Sequence, residues 1–432
     1  MKILSRSSLL FAVMIAGACQ PVVSGPTSAP TPAPVAAADS ARMRADIAYL
    51  ASDRLEGRRA GTPGNDSAAA FIERRYQALG LAAMTPTSYL QPFVARPAAS
   101  AHPGAPELLP TQNVIAMLPG TDPALRQEYV VVGAHFDHLG RSTEGALDPE
   151  ATDAIRHGAD DNASGTAAVL ELARMFRAAP TRRSLMFINF SAEEEGLLGS
   201  AYFVEHSPVA LDSMDAMVNF DMVGRLRNRR LIVYGVATGA EFPALLDSAN
   251  AGRLTIFGQG DGFGPSDQSS FYAKNIPVLH FFTDLHADYH RATDVVSKID
   301  AAGEATVVGI GERVIRDIAD RPARITFVRV PAKPSTAASS SSSDVYFGSI
   351  PDMAAGDIRG ERLTGVTAGS PADAGGIKAG DVVVEFGGQE VTDLETYSAA
   401  LYSHKPGDVV QVVVVRDGAR VTLRVTLSKR GG

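Results

Sequence analysis

Cysteine is almost missing from this chain: Cys19 is the only one in 432 residues, so no internal disulfide can form. A basic excess is missing too. Forty Lys and Arg stand against 48 Asp and Glu, a formal net charge of −8. A phosphate-binding surface wants the opposite sign, and no Lys/Arg cluster interleaved with aromatics overrides the balance, which argues against nucleic acid as a partner. The N-terminal apolar run, Leu9–Ala16, is too short to cross a bilayer as a mature helix. What is present is ordinary for a globular protein, with 45% hydrophobic and 20% charged residues. Forty glycines and 26 prolines point to many turns and some non-globular sequence. The length implies two or three domains, because single cores rarely grow past roughly 250–300 residues.

Lys2 and Arg6, then Leu9–Ala16, then small residues follow the order of a secretory signal over residues 1–18. Ala16-Gly17-Ala18-Cys19 resembles the lipobox of bacterial lipoproteins, with Ala16 where that motif usually has Leu; Ala16-x-Ala18 also fits an ordinary signal-peptidase site. The expectation is an exported lipoprotein of the cell envelope, at the outer membrane on its periplasmic side or surface. Cys19 would carry the lipid, which would be the sole membrane attachment, and simple secretion is the alternative. Several acyl chains on one cysteine hold stably where one is marginal. Residues 19–40 are expected to be a disordered tether, since 20–38 are Pro, Ala, Ser and Thr without apolar period. Residues 331–344, with five consecutive serines, read as a linker between a large domain at 41–330 and a small one at 345–428.

The large domain alternates two patterns. Helical periodicity covers 41–51, 65–79, 164–178, 196–206, 241–250 and 302–320, and Gly80-Leu81 stops the second of these. Short apolar strand-like runs lie at 113–118, 129–134, 184–190, 215–221, 231–234 and 277–282. Short apolar strands between helices predict an α/β domain with a mainly parallel mixed sheet covered by helices on both faces. In such sheets ligands sit beyond the carboxyl ends of the strands.

Acids and histidines collect at those ends in five segments: His135-Phe136-Asp137, Gly158–Gly165, Ser191–Gly196, Asn219-Phe220-Asp221 and Asp288-Tyr289-His290. Taken singly, a histidine after a strand is usually structural, and Glu193–Glu195 is what an ordinary helix start contains. Together they have the composition of a metal site, because zinc takes imidazole and carboxylate ligands and a two-metal hydrolase needs a bridging carboxylate. No Lys or Arg lies within the five segments to neutralise the acids. His138, Asp153 and His157 are assigned surface or loop roles, and His280 a place in the core.

These segments sit in longer text: LASDRLEGRRAGTPGN at 50–65, NVIAMLPG at 113–120, VVVGAHFDHLG at 130–140, GADDNASGTAAVLELAR at 158–174, SAEEEGLLGSAYF at 191–203, VNFDMVGR at 218–225 and GPSDQSSFYAKNIPVLHFFTDLHADYHRATD at 264–294. In that order they resemble the bacterial and fungal zinc aminopeptidases with paired metals, relatives of aminopeptidase Y and of the glutamate carboxypeptidase II catalytic domain. The resemblance spans residues 41–320 and implies the zinc exopeptidase fold with two Zn2+ per domain. It implies His135, Asp161 and Asp221 on the first metal, and Asp161, Glu194 and His290 on the second. Asp137 would orient His135, and Glu193 would be the general base toward a metal-bridging water. The Asp161–Asn162 peptide would be cis. The substrates implied are peptides with a free N-terminus. Asp267 is expected to help shape the substrate pocket. Gln268, Asp284 and Ala292 stand where relatives usually have His, Gly and Pro, so substrate positioning is where this chain departs.

In the small domain, strand patterns include 382–386 and 409–415, with a helical stretch at 392–403. GVTAGSPADAGGIKAGDVVVEFGGQEV at 365–391 resembles the PDZ domains of HtrA-like proteases. That implies a small β-rich domain that takes a peptide or protein C-terminus as an added strand, with its carboxylate near Tyr346, Phe347, Gly348, Ser349 and Ile350. Two other functions compete with an aminopeptidase. One is another amide-bond enzyme of the same fold, a carboxypeptidase or a glutaminyl cyclase; the other is a non-catalytic, PDZ-driven peptide-binding lipoprotein. The cyclase is disfavoured because both metal sites look complete, and the binding protein because all five ligands and Glu193 are intact.

Overall fold

The computed structural model describes residues 37–85, 88–96, 108–148, 150–264 and 266–330. In the C-terminal part it describes 345–351, 358–367, 369–392, 396–397, 400–401 and 403–429. The signal segment, Cys19, most of the tether and the serine-rich linker lie outside the described residues.

In the large domain β1 (Ala82–Ala83), β2 (Leu90–Ala95), β3 (Leu109–Leu118), β4 (Tyr129–His135), β5 (Ser184–Phe190), β6 (Met214–Phe220), β7 (Arg230–Tyr234), β8 (Thr255–Gln259) and β9 (Val278–Phe282) form one sheet. Its order is β1-β3-β5-β4-β6-β9-β7-β8, with β2 on β3. The helices are α1 (Ser40–Leu50), α2 (Pro63–Ala78), α3 (Gly165–Ala178), α4 (Leu198–Glu205), α5 (Phe242–Asn250), α6 (Gln268–Tyr272) and α7 (Ala301–Asp320).

Alternation along the central strands feeds both faces. Val130, Val132 and Ala134 of β4 pack into one core with α1, α3 and α7, while Val131 packs into another with Phe203 of α4 and Phe271 of α6. Leu185 and Phe187 against Met186 and Ile188 repeat that division in β5. A strand buried on both faces cannot alternate apolar with polar, which explains its continuous apolar text.

The sheet is more mixed than expected. The pairs β4–β5, β4–β6, β6–β9 and β7–β8 are parallel, but β1–β3, β2–β3, β3–β5 and β7–β9 are antiparallel. Connection length supplies the reason. Residues 119–128 between β3 and β4, and 221–229 between β6 and β7, are too short for a helical crossover, so each following strand must reverse. The core β5-β4-β6-β9 remains parallel, and that core carries the site.

The C-terminal part forms a second β-rich unit around Phe347, Leu363, Val383, Phe386, Val412 and Val414. Its elements are β10 (Val345–Tyr346), β11 (Ser349–Pro351), β12 (Glu361–Val366), α8 (Pro371–Ala374), β13 (Val382–Phe386), β14 (Gln389–Glu390), β15 (Val409–Arg416), β16 (Ala419–Thr426) and β17 (Ser428–Lys429). The sheet runs β11-β12-β13-β15-β16 with β14 on β13, and β10 pairs β17. Among the described residues no helix is long and apolar enough to cross a membrane.

Candidate active site

Three adjacent parallel strands end in site residues, and a fourth leads to one. His135 closes β4, Glu193 and Glu194 follow β5, Asp221 follows β6, and His290 lies in the loop after β9. Asp161 belongs to a wide turn, Ala159–Ser164, that feeds α3. The turn departs from helical geometry at Asp161 and Asn162, and the peptide between them is cis, as the resemblance implies. Asn162 ties the turn to the end of β6, donating to the Phe220 carbonyl and accepting from the amides of Gly165 and Met222. At Gly165 any Cβ would stand 2.2 Å from the Phe220 oxygen, so only glycine lets α3 start this close to β6.

The side chains converge as two sets of donors. His135 Nε2 lies 3.4 Å from Asp161 Oδ1 and 3.4 Å from Asp221 Oδ1. His290 Nε2 lies 3.2 Å from Asp161 Oδ2 and 3.1 Å from Glu194 Oε2. Asp161 gives one oxygen to each set. Zinc bonds of about 2.0–2.1 Å in a tetrahedron separate neighbouring ligand atoms by roughly 3.3–3.5 Å, so the spacings fit. Glu193 Oε2, at 3.9 Å from His135 Nε2, sits outside that edge length, although it is near enough to count among possible ligand atoms.

The imidazoles are oriented for ligation. His290 Nδ1 is 2.9 Å from the Gly145 carbonyl and His135 Nδ1 is 3.3 Å from the Asp137 carbonyl. A carbonyl only accepts, so each Nδ1 carries the hydrogen and each Nε2 turns its lone pair toward carboxylate oxygens. Such a set of lone pairs is stable only around positive charge. Burial opposes charge on His135, but Glu193 and Asp221 outweigh it and hold its pKa well above the ordinary value. Burial likewise opposes charge on His290, and Glu194 with Asp161 outweighs it. The same pairing, against burial, holds Asp161 well below the usual carboxylate range and Glu194 at about 2. Glu193 goes the other way. Burial, joined by the charges of Glu194, Asp221 and Asp267, pushes its pKa well above normal.

Neighbours in sequence separate by partner. Glu195 is paired with Arg59 at 3.0 Å. Asp160 turns away to Ser164 Oγ, the Gly224 amide and His286 Nε2. Asp294 accepts from the amides of both Asp160 and Asp161 and so fixes the turn. Asp137 is 3.6 Å from His135 Nδ1 and also accepts from the amides of Glu193 and Glu194, at 3.2 and 3.4 Å. Tyr289 stacks on the His290 ring at 3.8 Å. Asp267 is fully buried; burial pushes its pKa to about 7, and it feels the charges of His135, Asp137 and Asp221.

Two features were beyond the sequence. Arg58 is fully buried and donates to the carbonyls of Phe136, Leu50, His157 and Gly158 at 2.6–3.0 Å. It clamps the backbone beside His135 to the backbone leading to Asp161. Burial depresses its pKa to about 10, with Asp137 and Asp161 opposing that fall. The only available signal is the first of two adjacent arginines in LEGRR, indistinguishable from a surface residue. His138 is a correction: expected in a surface or loop role, it is fully buried with Nδ1 2.6 Å from Glu194 Oε1. His157, bonded to Asp53, and the exposed Asp153 are where they were expected. His280 is in the core as anticipated, beside Asn219, with burial lowering its pKa to about 4.

In the C-terminal unit Tyr346 ends β10, and Phe347 is buried with its ring edge-on to Phe386. Gly348 has φ +85°, and a Cβ there would stand 2.2 Å from Ser370 Cβ. Ser349 and Ile350 begin β11, and among the described strands β11 ends its sheet. Ser349 Oγ meets Tyr397 OH at 2.5 Å. A free sheet edge is what β-strand addition uses.

Comparison with known proteins agrees with this architecture. Residues 113–310 match the family model for Peptidase family M28, and residues 353–427 match that for the PDZ domain. Aminopeptidase YwaD of Bacillus subtilis (strain 168) is 47% identical over 210 residues, covering 44% of this chain and 42% of YwaD. Serine protease Do-like HtrA of Lactococcus lactis subsp. cremoris (strain MG1363) is 47% identical over 64 residues, 15% of this chain and 16% of HtrA. The matched regions span about half the length, or less, of the curated relatives. The aminopeptidase from Aneurinibacillus sp. strain AM-1 shares the fold, with TM-score 0.53 and 19% identity over 68% of this chain and 97% of that one.

Proposed function

We propose, from the match of residues 113–310 to the peptidase family M28 model and of residues 353–427 to the PDZ model, that the chain is a zinc aminopeptidase that removes the N-terminal residue from peptides. One observation carries the two-metal form of this proposal: the two carboxylate oxygens of Asp161 are divided between two sets of donors spaced as zinc ligands are. His135, Asp161 and Asp221 would hold one Zn2+, and Asp161, Glu194 and His290 the other. Bound there, the ions supply Lewis acidity toward the scissile carbonyl and acidify the attacking water.

The protein's own groups do the rest. Glu193, with its Oε2 beside the ligand atoms at 3.9 Å from His135 Nε2, takes the proton from the water and returns it to the leaving amine. The pKa of Glu194, the next residue, is driven down where that of Glu193 is driven up, and a pair of acids pushed apart is how one site separates base from ligand. Asp137 grips the amides of both residues, so base and ligand move as one unit. The same reading has a catalytic domain at 41–330 and a PDZ domain at 345–428, behind a signal at 1–18 and a lipid-anchored tether at 19–40. The PDZ domain would take peptide or protein C-termini at the cell envelope.

The test is a panel of peptides with free and blocked N-termini, assayed with and without chelator. Release of the first residue from free peptides alone, lost on chelation and restored by Zn2+, is the expected result. Cleavage of blocked peptides at a similar rate overturns the exopeptidase direction.

A further inference from the structure

We infer that His138 is a positioning residue: its Nδ1–H holds Glu194 so that one carboxylate oxygen stays available to the second metal. The inference rests on the two-metal proposal above. Distance decides between ligand and positioning group. His138 Nδ1 is 2.6 Å from Glu194 Oε1, which is hydrogen-bond length and well short of the roughly 3.3–3.5 Å between two ligands of one zinc ion. Glu194 therefore spends Oε1 on His138 and turns Oε2 to His290 Nε2, 3.1 Å away.

The ring has nowhere else to go. His138 is fully buried, and its Nε2 has no hydrogen-bond partner among the described residues. Gly158 presses on its face, since a Cβ at Gly158 would lie 2.5 Å from His138 Cγ, and Gly158 takes φ +58°. The His290 ring stands edge-on at 5.7 Å. Asp161 Oδ2, at 3.8 Å from Nδ1, is beyond hydrogen-bonding reach, so among the described residues the hydrogen bond is to Glu194 alone. A free carboxylate has two equivalent oxygens and a rotating end; one fixed hydrogen bond removes that choice before the ion arrives. Groups that orient a metal's ligands from outside typically set affinity by about 10-fold to 100-fold.

The experiment is titration of the metal-free full chain with Zn2+, read by calorimetry and by metal analysis after gel filtration. It uses wild type, His138→Ala and His138→Asn. Asparagine places an amide N–H close to where Nδ1 stands. The expected result is two equivalents in wild type. In His138→Ala the first should bind unchanged and the second about 10-fold to 100-fold more weakly, with most of that loss recovered in His138→Asn. Near-ultraviolet circular dichroism checks that both variants keep native packing. Wild-type affinity for both equivalents in a folded His138→Ala overturns the positioning role, and so does a His138→Asn no better than alanine. A wild-type chain that takes up one equivalent overturns the two-metal proposal itself and this inference with it, and is recognised because it appears without any substitution.

Discussion

Replacing Arg58 by methionine removes one fork of donors from the centre of the large domain. The guanidinium serves four carbonyls on three segments: Leu50 at the end of α1, Phe136 beside His135, and His157 with Gly158 before Asp161. A hydrogen bond to a charged donor contributes about 1.5–3 kcal/mol, and a buried carbonyl left without a partner costs about 1–3 kcal/mol. Four such losses do not add, because the segments relax together and because removing a buried charge relieves its desolvation. The depressed pKa of Arg58, about 10, is the sign of that desolvation. Allowing for both, the net cost of leaving these carbonyls without their donor should be about 3–5 kcal/mol, a large part of the roughly 5–15 kcal/mol that holds a domain. Urea unfolding, followed by a probe in the large domain, should show the midpoint fall with little change in slope. Arg58→Lys keeps the charge but gathers its donors on one nitrogen, so it should recover less than half of the loss. A methionine variant within about 1 kcal/mol of wild type, or a lysine variant that restores full stability, would refute the claim that fork geometry joins these segments.

Two other substitutions probe the acids. Glu193→Gln should lower kcat by about 10²–10⁴-fold while the protein still takes up its full complement of Zn2+, because Glu193 sits at 3.9 Å where the other donors sit at 3.1–3.4 Å; loss of a metal equivalent would make it a ligand instead. Glu304, buried near Asp160 and Asp300, has its pKa raised well above the ordinary 4.5, first by burial and then by those charges. Its contribution is intact below pH 4.5 and is lost as pH rises through the folded-state pKa. Glu304→Gln should therefore match wild type in melting temperature near pH 4 and exceed it increasingly toward pH 8; the opposite trend would show that the charged form is the stabilised one.

How far the sequence could be read depended on the kind of physics each feature uses. Two-face burial writes itself as unbroken apolar text, so β4, β5 and β6 are legible to within a residue or so. Strand β8 is not, because Thr255–Gln259 is only partly buried and contains Gly258. The five residues of α6 are too few to show a helical period. Strand direction escaped composition altogether and followed from the short 119–128 and 221–229 connections. In the site, residues carried by strand ends were legible in order, but the partition among adjacent acids was not. Asp160 differs from Asp161, and Glu195 from Glu194, through partners as distant as His286 and Arg59. His138 and Arg58 are not legible in the sequence for the same reason: burial of a polar side chain has no local signature when its partners are carbonyls and carboxylates far along the chain.

The parallel strands that end in reactive groups also begin somewhere, and their beginnings are of a different character. Arg183, fully buried just before β5, meets Glu128 before β4 at 2.6 Å and Asp215 in β6 at 3.2 Å, and it donates to the carbonyls of Ile318 and Arg321 beyond. A seven-residue strand places these groups about 20 Å from the opposite end. The sheet thus has a structural pole and a chemical pole. Sequence drift at the first can tune heat tolerance, and drift in the loops at the second can tune selectivity, with little traffic between them. Such a division lets one scaffold be adapted to new temperatures and new substrates by separate routes.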